Sequence, residues 1–259
     1  MKLLAALACC LGVAASPGAM AATEPPVVKA CGHHDYPPWN WSREGRIVGA
    51  CAVVAQRAIE RLGYKVDLTY VGPWKRCQAM VQSGEVDVNI CSFRNPEREG
   101  YSRFVEPRIG QNRIAVFMRK DKAQQLRFSR WDDLAGLRTG LVTGVSMGAD
   151  FDRFLEQKTH VERTTSVASV LKMMSLDRVD IVPFGWEAGT IEIERNGFTG
   201  RIVPLAQPAL VGDLFVSVSR KSPLAARTSE IAQYFLRPGY GEELRGLLDE
   251  FSRQYLQEK

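Results

Sequence analysis

Histidine is scarce in this chain: there are three in 259 residues, and only His160 lies beyond residue 34. That scarcity bears on catalysis. Residues 144–148 read Gly-Val-Ser-Met-Gly, the G-x-S-x-G pattern of a nucleophile elbow, set between an apolar run and a helical pattern. A serine nucleophile needs a base within hydrogen-bond reach. His160 stands close in sequence, inside the same unit, and nothing after it offers an imidazole. A serine hydrolase built on Ser146 is therefore the remote reading, and no catalytic residue is expected. The chain also lacks a P-loop and a dinucleotide fingerprint, so no cofactor is expected. It has no basic run. Its 34 Lys and Arg and 29 Asp and Glu are interspersed, with a net charge of +5, which gives no footprint for a nucleic-acid partner. The run Cys31-Gly32-His33-His34 lacks a second clean ligand pair, so no metal is expected. The paired acids Asp132 and Asp133 precede Leu134 at a helix start, where carboxylates offset the helix dipole.

Long apolar runs are missing too, except at the beginning. Lys2 precedes the run Leu3 to Val13, and Ala19-Met20-Ala21 forms an A-x-A cleavage site. This is the pattern of a secretory signal peptide over residues 1–21, too short for a membrane span. Cys9 and Cys10 come early and outside a good lipobox, so a lipid anchor is not expected. The expected location is the periplasm. The remaining cysteines, Cys31, Cys51, Cys77 and Cys91, would meet an oxidising compartment, and at least one disulfide is expected. Four cysteines allow three full pairings. Cys51 and Cys77 both fall near expected helix starts at one sheet edge, which weakly favours that pair.

Residues 72–107 organise the rest. Gly72 and Pro73 make a turn, and Trp74 to Val81 reads as an amphipathic helix stopped at Ser83-Gly84. Val86 to Ile90 alternates apolar and polar, as a strand does. A polar loop follows, holding Arg94 and Arg98, and the stretch ends at Phe104-Val105-Glu106-Pro107. In an open α/β sheet, ligands bind at the carboxyl ends of strands. Arg98 falls there, with a planar donor fork suited to a carboxylate. Further strand–helix–strand alternation, with strands at 27–31, 66–70, 137–142 and 179–184, implies parallel strands with crossover helices.

Trp74, Gly84, Asp87, Glu97-Arg98, Phe104 and Pro107, in that order, resemble bacterial extracellular solute-binding proteins of family 3. The variant Pro73-Trp74-x-Arg76-Cys77 is similar to a sub-branch of that family. Tyr36-Pro37-Pro38-Trp39 matches the family's aromatic segment after the first strand, and Arg130 to Gly136 matches the opening of its second lobe. The resemblance implies a two-lobe α/β fold, each lobe an open, mostly parallel sheet with flanking helices. Lobe 1 would comprise 22–113 plus 212–259, and lobe 2 residues 114–211. Two crossings near 112–114 and 211–214 would form a hinge. Two helices, about 223–236 and 240–257, would close the chain.

The same resemblance implies a site. Arg98 and Ser146 would hold an acidic group from opposite lobes. Tyr36, Trp39, Trp74 and Trp186 would supply apolar walls, with His33 and Ser92 beside the ligand. Relatives carry an Asp for the ligand ammonium just after the strand 179–184. Here the sequence reads Gly185-Trp186-Glu187, which leaves Glu187 as a shifted substitute. A buried ammonium without a counter-charge is costly. The expected ligand is thus a small organic acid or an amino-acid derivative with a masked amine, ahead of a free amino acid. The expected protein is a monomer that captures its solute between the lobes and delivers it to an ABC permease. An orphan sensor module for a signalling partner is the alternative.

Overall fold

The computed structural model describes residues 24–143 and 145–258. The expected signal peptide lies outside them, as do Cys9, Cys10 and Gly144. The chain begins with β1 (Val27–Cys31) and a small antiparallel sheet of β2 (Asp35–Tyr36), β3 (Asn40–Arg43) and β4 (Arg46–Val48). This small sheet was not anticipated, because Pro37 and Pro38 interrupt the pattern between its first two strands. Helix α1 (Ala50–Glu60) follows. Gly49 precedes it with φ 114°, and a Cβ there would lie 2.6 Å from the Trp39 carbonyl oxygen. The close approach lets Ala50 and Cys51 donate their N–H groups to Pro38 O and Trp39 O, at 3.0 and 2.9 Å. So two of the free donors at the start of α1 fix the proline loop.

Then come β5 (Lys65–Asp67), α2 (Trp74–Ser83), β6 (Val88–Phe93), α3 (Pro96–Tyr101) and β7 (Ser102–Phe104). The expected polar loop bearing Arg98 is thus partly the short helix α3. Asn95 caps it, its side chain accepting the Arg98 N–H at 2.8 Å, and Pro96 takes the first position.

Strand β8 (Gly110–Arg119) leads away to α4 (Lys120–Ala123), a 3₁₀ turn at Trp131–Leu134, β9 (Arg138–Val142) and α5 (Ala149–Lys158). After these come β10 (His160–Thr164), α6 (Val167–Ser175), β11 (Ile181–Gly185), α7 (Trp186–Arg195) and β12 (Ile202–Pro204). Strand β13 (Leu210–Ser219) returns. The expected helix over 223–236 is a 3₁₀ turn, Pro223–Arg227, followed by α8 (Thr228–Leu236), and α9 (Tyr240–Gln257) ends the chain.

The large sheet runs β5-β1-β6-β13-β8-β11-β9-β10, with β7 on β13 and β12 on β8. Pairing is parallel among β1, β5 and β6 and among β9, β10 and β11. It is antiparallel wherever β8 or β13 takes part. Residues 110–114 of β8 pair with 210–214 of β13, and each strand then continues into a different half. These are the two crossings between lobes.

Each half has its own apolar core. One draws on residues 28–109 and 214–255, the other on 114–205. Ile191 of α7 is an exception: it packs into the first core. A smaller cluster of Cys31, Cys77, Val81 and Val86 lies under α2.

The cysteines pair as Cys31–Cys77 and Cys51–Cys91, with Cα–Cα distances of 5.8 and 5.9 Å. This corrects the preference for Cys51–Cys77. The sheet order decides it. Cys31 faces the cluster under α2, whereas Cys51 and Cys91 belong to the main core beneath α1. The two bridges therefore clamp opposite faces of the lobe 1 sheet. Among the described residues, no helix is long and apolar enough to cross a membrane.

Candidate functional site

The carboxyl ends of β1 and β6 open onto a cleft between the halves. A cavity of about 50 Å³ lies there. Six of the residues expected from sequence line it: His33, Tyr36, Trp74, Ser92, Arg98 and Ser146. Asn40, Cys91, Phe93, Val145 and Leu214 complete the lining. No acidic side chain is among them. Asn40 was missed because it sits in the unanticipated β3. It is almost fully buried and accepts the His33 N–H on its Oδ1.

Arg98 is the cation of this cavity. Its Nη1 donates to Phe93 O at 2.7 Å, and its guanidinium lies 5.4 Å from the Trp74 ring centroid. Burial lowers its pKa, yet a guanidinium stays charged at any ordinary pH. No carboxylate of the described residues forms an ion pair with it. Arg94, four residues earlier, pairs with Glu99 and Glu106 instead. Ser92 is 2% exposed and its hydroxyl has no hydrogen-bond partner among the described residues. A half-buried charge without a counter-charge and a buried hydroxyl without a partner are both costly alone, so the cavity is suited to a bound group that satisfies them.

Burial holds the His33 imidazole neutral, its pKa lowered to about 3, with the neighbouring His34 adding to the effect. Its Nδ1 accepts the Asp35 N–H at 3.0 Å, which leaves Nε2 as the protonated nitrogen. The His33 ring stacks on His34 at 5.0 Å and tilts against Trp74 at 5.3 Å.

Tyr36 reaches across the cleft. Its ring meets Phe184 edge-on at 5.5 Å, and its hydroxyl accepts from Asn112 Nδ2 at 2.6 Å. Burial raises its pKa, so the phenol keeps its proton. A Cβ at Gly185 would lie 2.1 Å from that hydroxyl. Glycine at 185 is therefore required by Tyr36, and the hydroxyl occupies the space that any larger side chain at this position would need.

Three expected residues stand elsewhere. Trp39 is 2% exposed in the lobe 1 core, with its ring edge toward Gly110. Trp186 is covered by the Arg113 guanidinium at 4.9 Å, and Glu187 Oε1 accepts from Arg113 Nη2 at 2.8 Å. Neither Trp186 nor Glu187 lines the cavity. Glu187 thus has a cation already.

Ser146 lines the cavity from lobe 2, but its hydroxyl donates to Asp152 Oδ2 at 2.5 Å and accepts from the Gly148 N–H at 3.3 Å. Its side-chain partner is thus a carboxylate of α5. His160 lies exposed at the start of β10. The helix itself begins three residues after Ser146, behind Gly148. A larger, open depression of about 540 Å³ lies at the end of β8, around Arg119 and Arg201. There Arg119 pairs with Asp121 and Arg201 donates to Gly197 O, and the depression stands apart from the strand ends that lead to Arg98.

The sequence pattern of the bacterial extracellular solute-binding proteins, family 3, matches residues 28–254. The chain belongs to this family. No curated protein matches it. Several solved structures share the two-lobe fold of these solute-binding proteins. A histidine kinase sensor domain with similarity to periplasmic binding proteins is 22% identical, with TM-score 0.72 over 86% of this chain and 96% of that one. The amino acid ABC transporter substrate-binding protein AbpA from Streptococcus pneumoniae, bound to L-arginine, is 17% identical, with TM-score 0.71 over 90% and 97%. The VFT2 domain of BvgS from Bordetella pertussis is 20% identical, with TM-score 0.69 over 87% and 93%.

Proposed function

We propose that this solute-binding protein captures a small monoanionic carboxylate between its lobes, with Arg98 as the carboxylate anchor and Ser92 beside it. The observation that carries the reading is the unmatched guanidinium of Arg98 in a cavity lined by no acid. Within this cavity a zwitterion would bring an ammonium with no carboxylate on the lining, because Tyr36 fills the space at Gly185 and Glu187 is engaged by Arg113. The ligand is therefore an organic acid, or an amino-acid derivative without a free amine, ahead of a standard amino acid. His33, Tyr36 and Trp74 wall it on one side and Val145 and Ser146 on the other.

Lobe 1 is taken as 22–113 plus 212–259 and lobe 2 as 114–211, a division supported by the membership of the two cores. The protein acts outside the cytoplasm as a monomer, after loss of residues 1–21, and catalyses no reaction of its own. Delivery to a membrane permease is the first reading. A sensory role is the second, favoured by the likeness to a histidine kinase sensor domain. A thermal-shift screen of organic acids and amino acids tests the ligand class. A ligand at a hundred times its dissociation constant adds about 2.7 kcal/mol of stability. Organic acids should give the largest shifts, and Arg98→Ala should remove them. Larger shifts from free amino acids, lost in Glu187→Gln, would reverse the ranking.

A further inference from the structure

The cavity at Arg98 is too small to be the whole site. At about 50 Å³ it has room for only a few water-sized groups, about 10–15 Å³ being needed for each. A carboxylate and a short stem fill it. Next to it lies a second chamber of about 240 Å³, nearly five times as large. The two share His33, Trp74 and Val145, so one is the continuation of the other. The outer chamber also spans both halves. His34 and Pro73 stand on the lobe 1 side, and Val142, Thr165 and Phe184 on the lobe 2 side. Rings and aliphatic side chains dominate these walls. The His33 ring between the chambers is uncharged at neutral pH. The charged members, Asp35 and Lys75, both come from the lobe 1 side, so the lobe 2 wall is uncharged.

The geometry points to an elongated ligand, resting on the carboxylate reading above: its carboxylate at Arg98 in the inner cavity, and an apolar body of at least one six-membered ring in the outer chamber. Trp74 and His33 form the constriction through which the stem passes. The lobe 2 wall joins the valines Val142, Val145 and Val167 to the Phe184 ring, so it accepts a saturated ring as well as an aromatic one. Such a body removes a ring's worth of apolar surface from water, which short acids cannot do.

The test compares acetate, phenylacetate and cyclohexylacetate by ligand-observed NMR titration, on the full chain and two variants. Thr165 is exposed in the loop between β10 and α6 and lines only the outer chamber, so Thr165→Trp should fill that space without unfolding the protein. Both ring acids should bind at least tenfold more tightly than acetate. Thr165→Trp should remove that advantage and leave acetate unchanged, while Arg98→Ala should abolish all three. Equal binding of acetate and the ring acids, all lost in Arg98→Ala, would overturn the two-chamber inference and leave the carboxylate reading standing. A ring-acid advantage that survives Thr165→Trp would overturn it in the same way. Binding of none of the three, or binding indifferent to Arg98→Ala, would overturn the carboxylate reading and this inference together.

Discussion

Asp87 and Asp180 hold the same place in the two lobes, yet they are secured differently. Each follows a helix, α2 or α6, and precedes the central strand, β6 or β11. Each carboxylate accepts a backbone N–H from the first parallel strand of its lobe, Lys29 at 2.9 Å and Arg138 at 3.0 Å. Each backbone N–H answers by donating to the carbonyl of that same residue. The joint is identical; its surroundings are not. Asp180 also receives the Arg138 guanidinium and Lys122 Nζ, at 2.7 and 3.0 Å, and these hold its carboxyl well below the usual carboxylate range. No ion pair to Asp87 is found among the described residues, and its lobe is tied instead by Cys31–Cys77 and Cys51–Cys91. At this joint lobe 2 is fastened by charge, whereas among the described residues the disulfides belong to lobe 1 alone. Conditions that loosen one should therefore spare the other.

The sharpest way to break that comparison is reduction. The bridges close loops of 46 and 40 residues, each worth on the order of 4 kcal/mol by loop-closure entropy. Replacing Cys51 and Cys91 by Ala should destabilise lobe 1 by about that amount and leave lobe 2 unchanged, as read by hydrogen exchange of β6 against β11. Equal loss of protection in both would mean that the lobes unfold as one unit.

Next in size is Asp180→Ala, which removes a charge-assisted network and should destabilise lobe 2 by about 2–3 kcal/mol in urea denaturation. The depressed Asp180 pKa sets the sign of its pH dependence. Its contribution is present above the unfolded carboxylate pKa and is lost only as pH falls through the acid range below about 4.

Lobe 1 should feel acid earlier. His33 is held neutral, down to about 3, whereas an unfolded imidazole protonates near 6.5. Between those values the unfolded chain binds a proton that the folded chain refuses, so stability falls as pH drops from about 6.5 toward 3. At pH 5 the loss is about 2 kcal/mol. His33→Gln should flatten that slope in thermal melts from pH 7 to 5. An unchanged slope would move the titration to another group.

Smallest is Asp87→Ala, about 1 kcal/mol, the value of an ordinary exposed hydrogen bond. If it equals Asp180→Ala in urea denaturation, the ions around Asp180 contribute nothing, and the contrast between the lobes reduces to the disulfides.

Much of this was legible in the sequence because it follows local rules. The similar runs Glu85-Val86-Asp87-Val88 and Arg178-Val179-Asp180-Ile181 each lead into a strand, β6 and β11. Ser166 stands one residue before α6, where serine caps a helix, and its hydroxyl accepts the Ser169 N–H. The position of Arg98 just beyond the carboxyl end of a strand was readable from the helix-strand-loop pattern of residues 72–107. What failed depended on tertiary neighbours. Trp39 stands in an aromatic-rich stretch of sequence, and composition alone does not say which face a ring takes; in the fold its ring lies in the lobe 1 core. Glu187 looked free because Arg113, 74 residues away, was not yet beside it. The cysteine pairing depended on which helix covers which face of the sheet, and no spacing encodes that. Gly185 read as a missing acid; only the Tyr36 hydroxyl explains why nothing larger fits there.

The bridges Cys31–Cys77 and Cys51–Cys91 interleave along the chain, first with third and second with fourth. For a chain threaded through a membrane from its N-terminus, Cys51 is the first partner to emerge beside Cys31, and Cys91 the last of the four. Oxidation in order of emergence would thus join the wrong pair, and exchange through a mixed disulfide would have to undo it. If the chain is exported as proposed and oxidised in that order, correct pairing requires disulfide exchange as well as oxidation. A host that supplies only the oxidant should then accumulate protein with Cys31 joined to Cys51, which leaves β1 without its bridge to α2 and β6 without its bridge to α1.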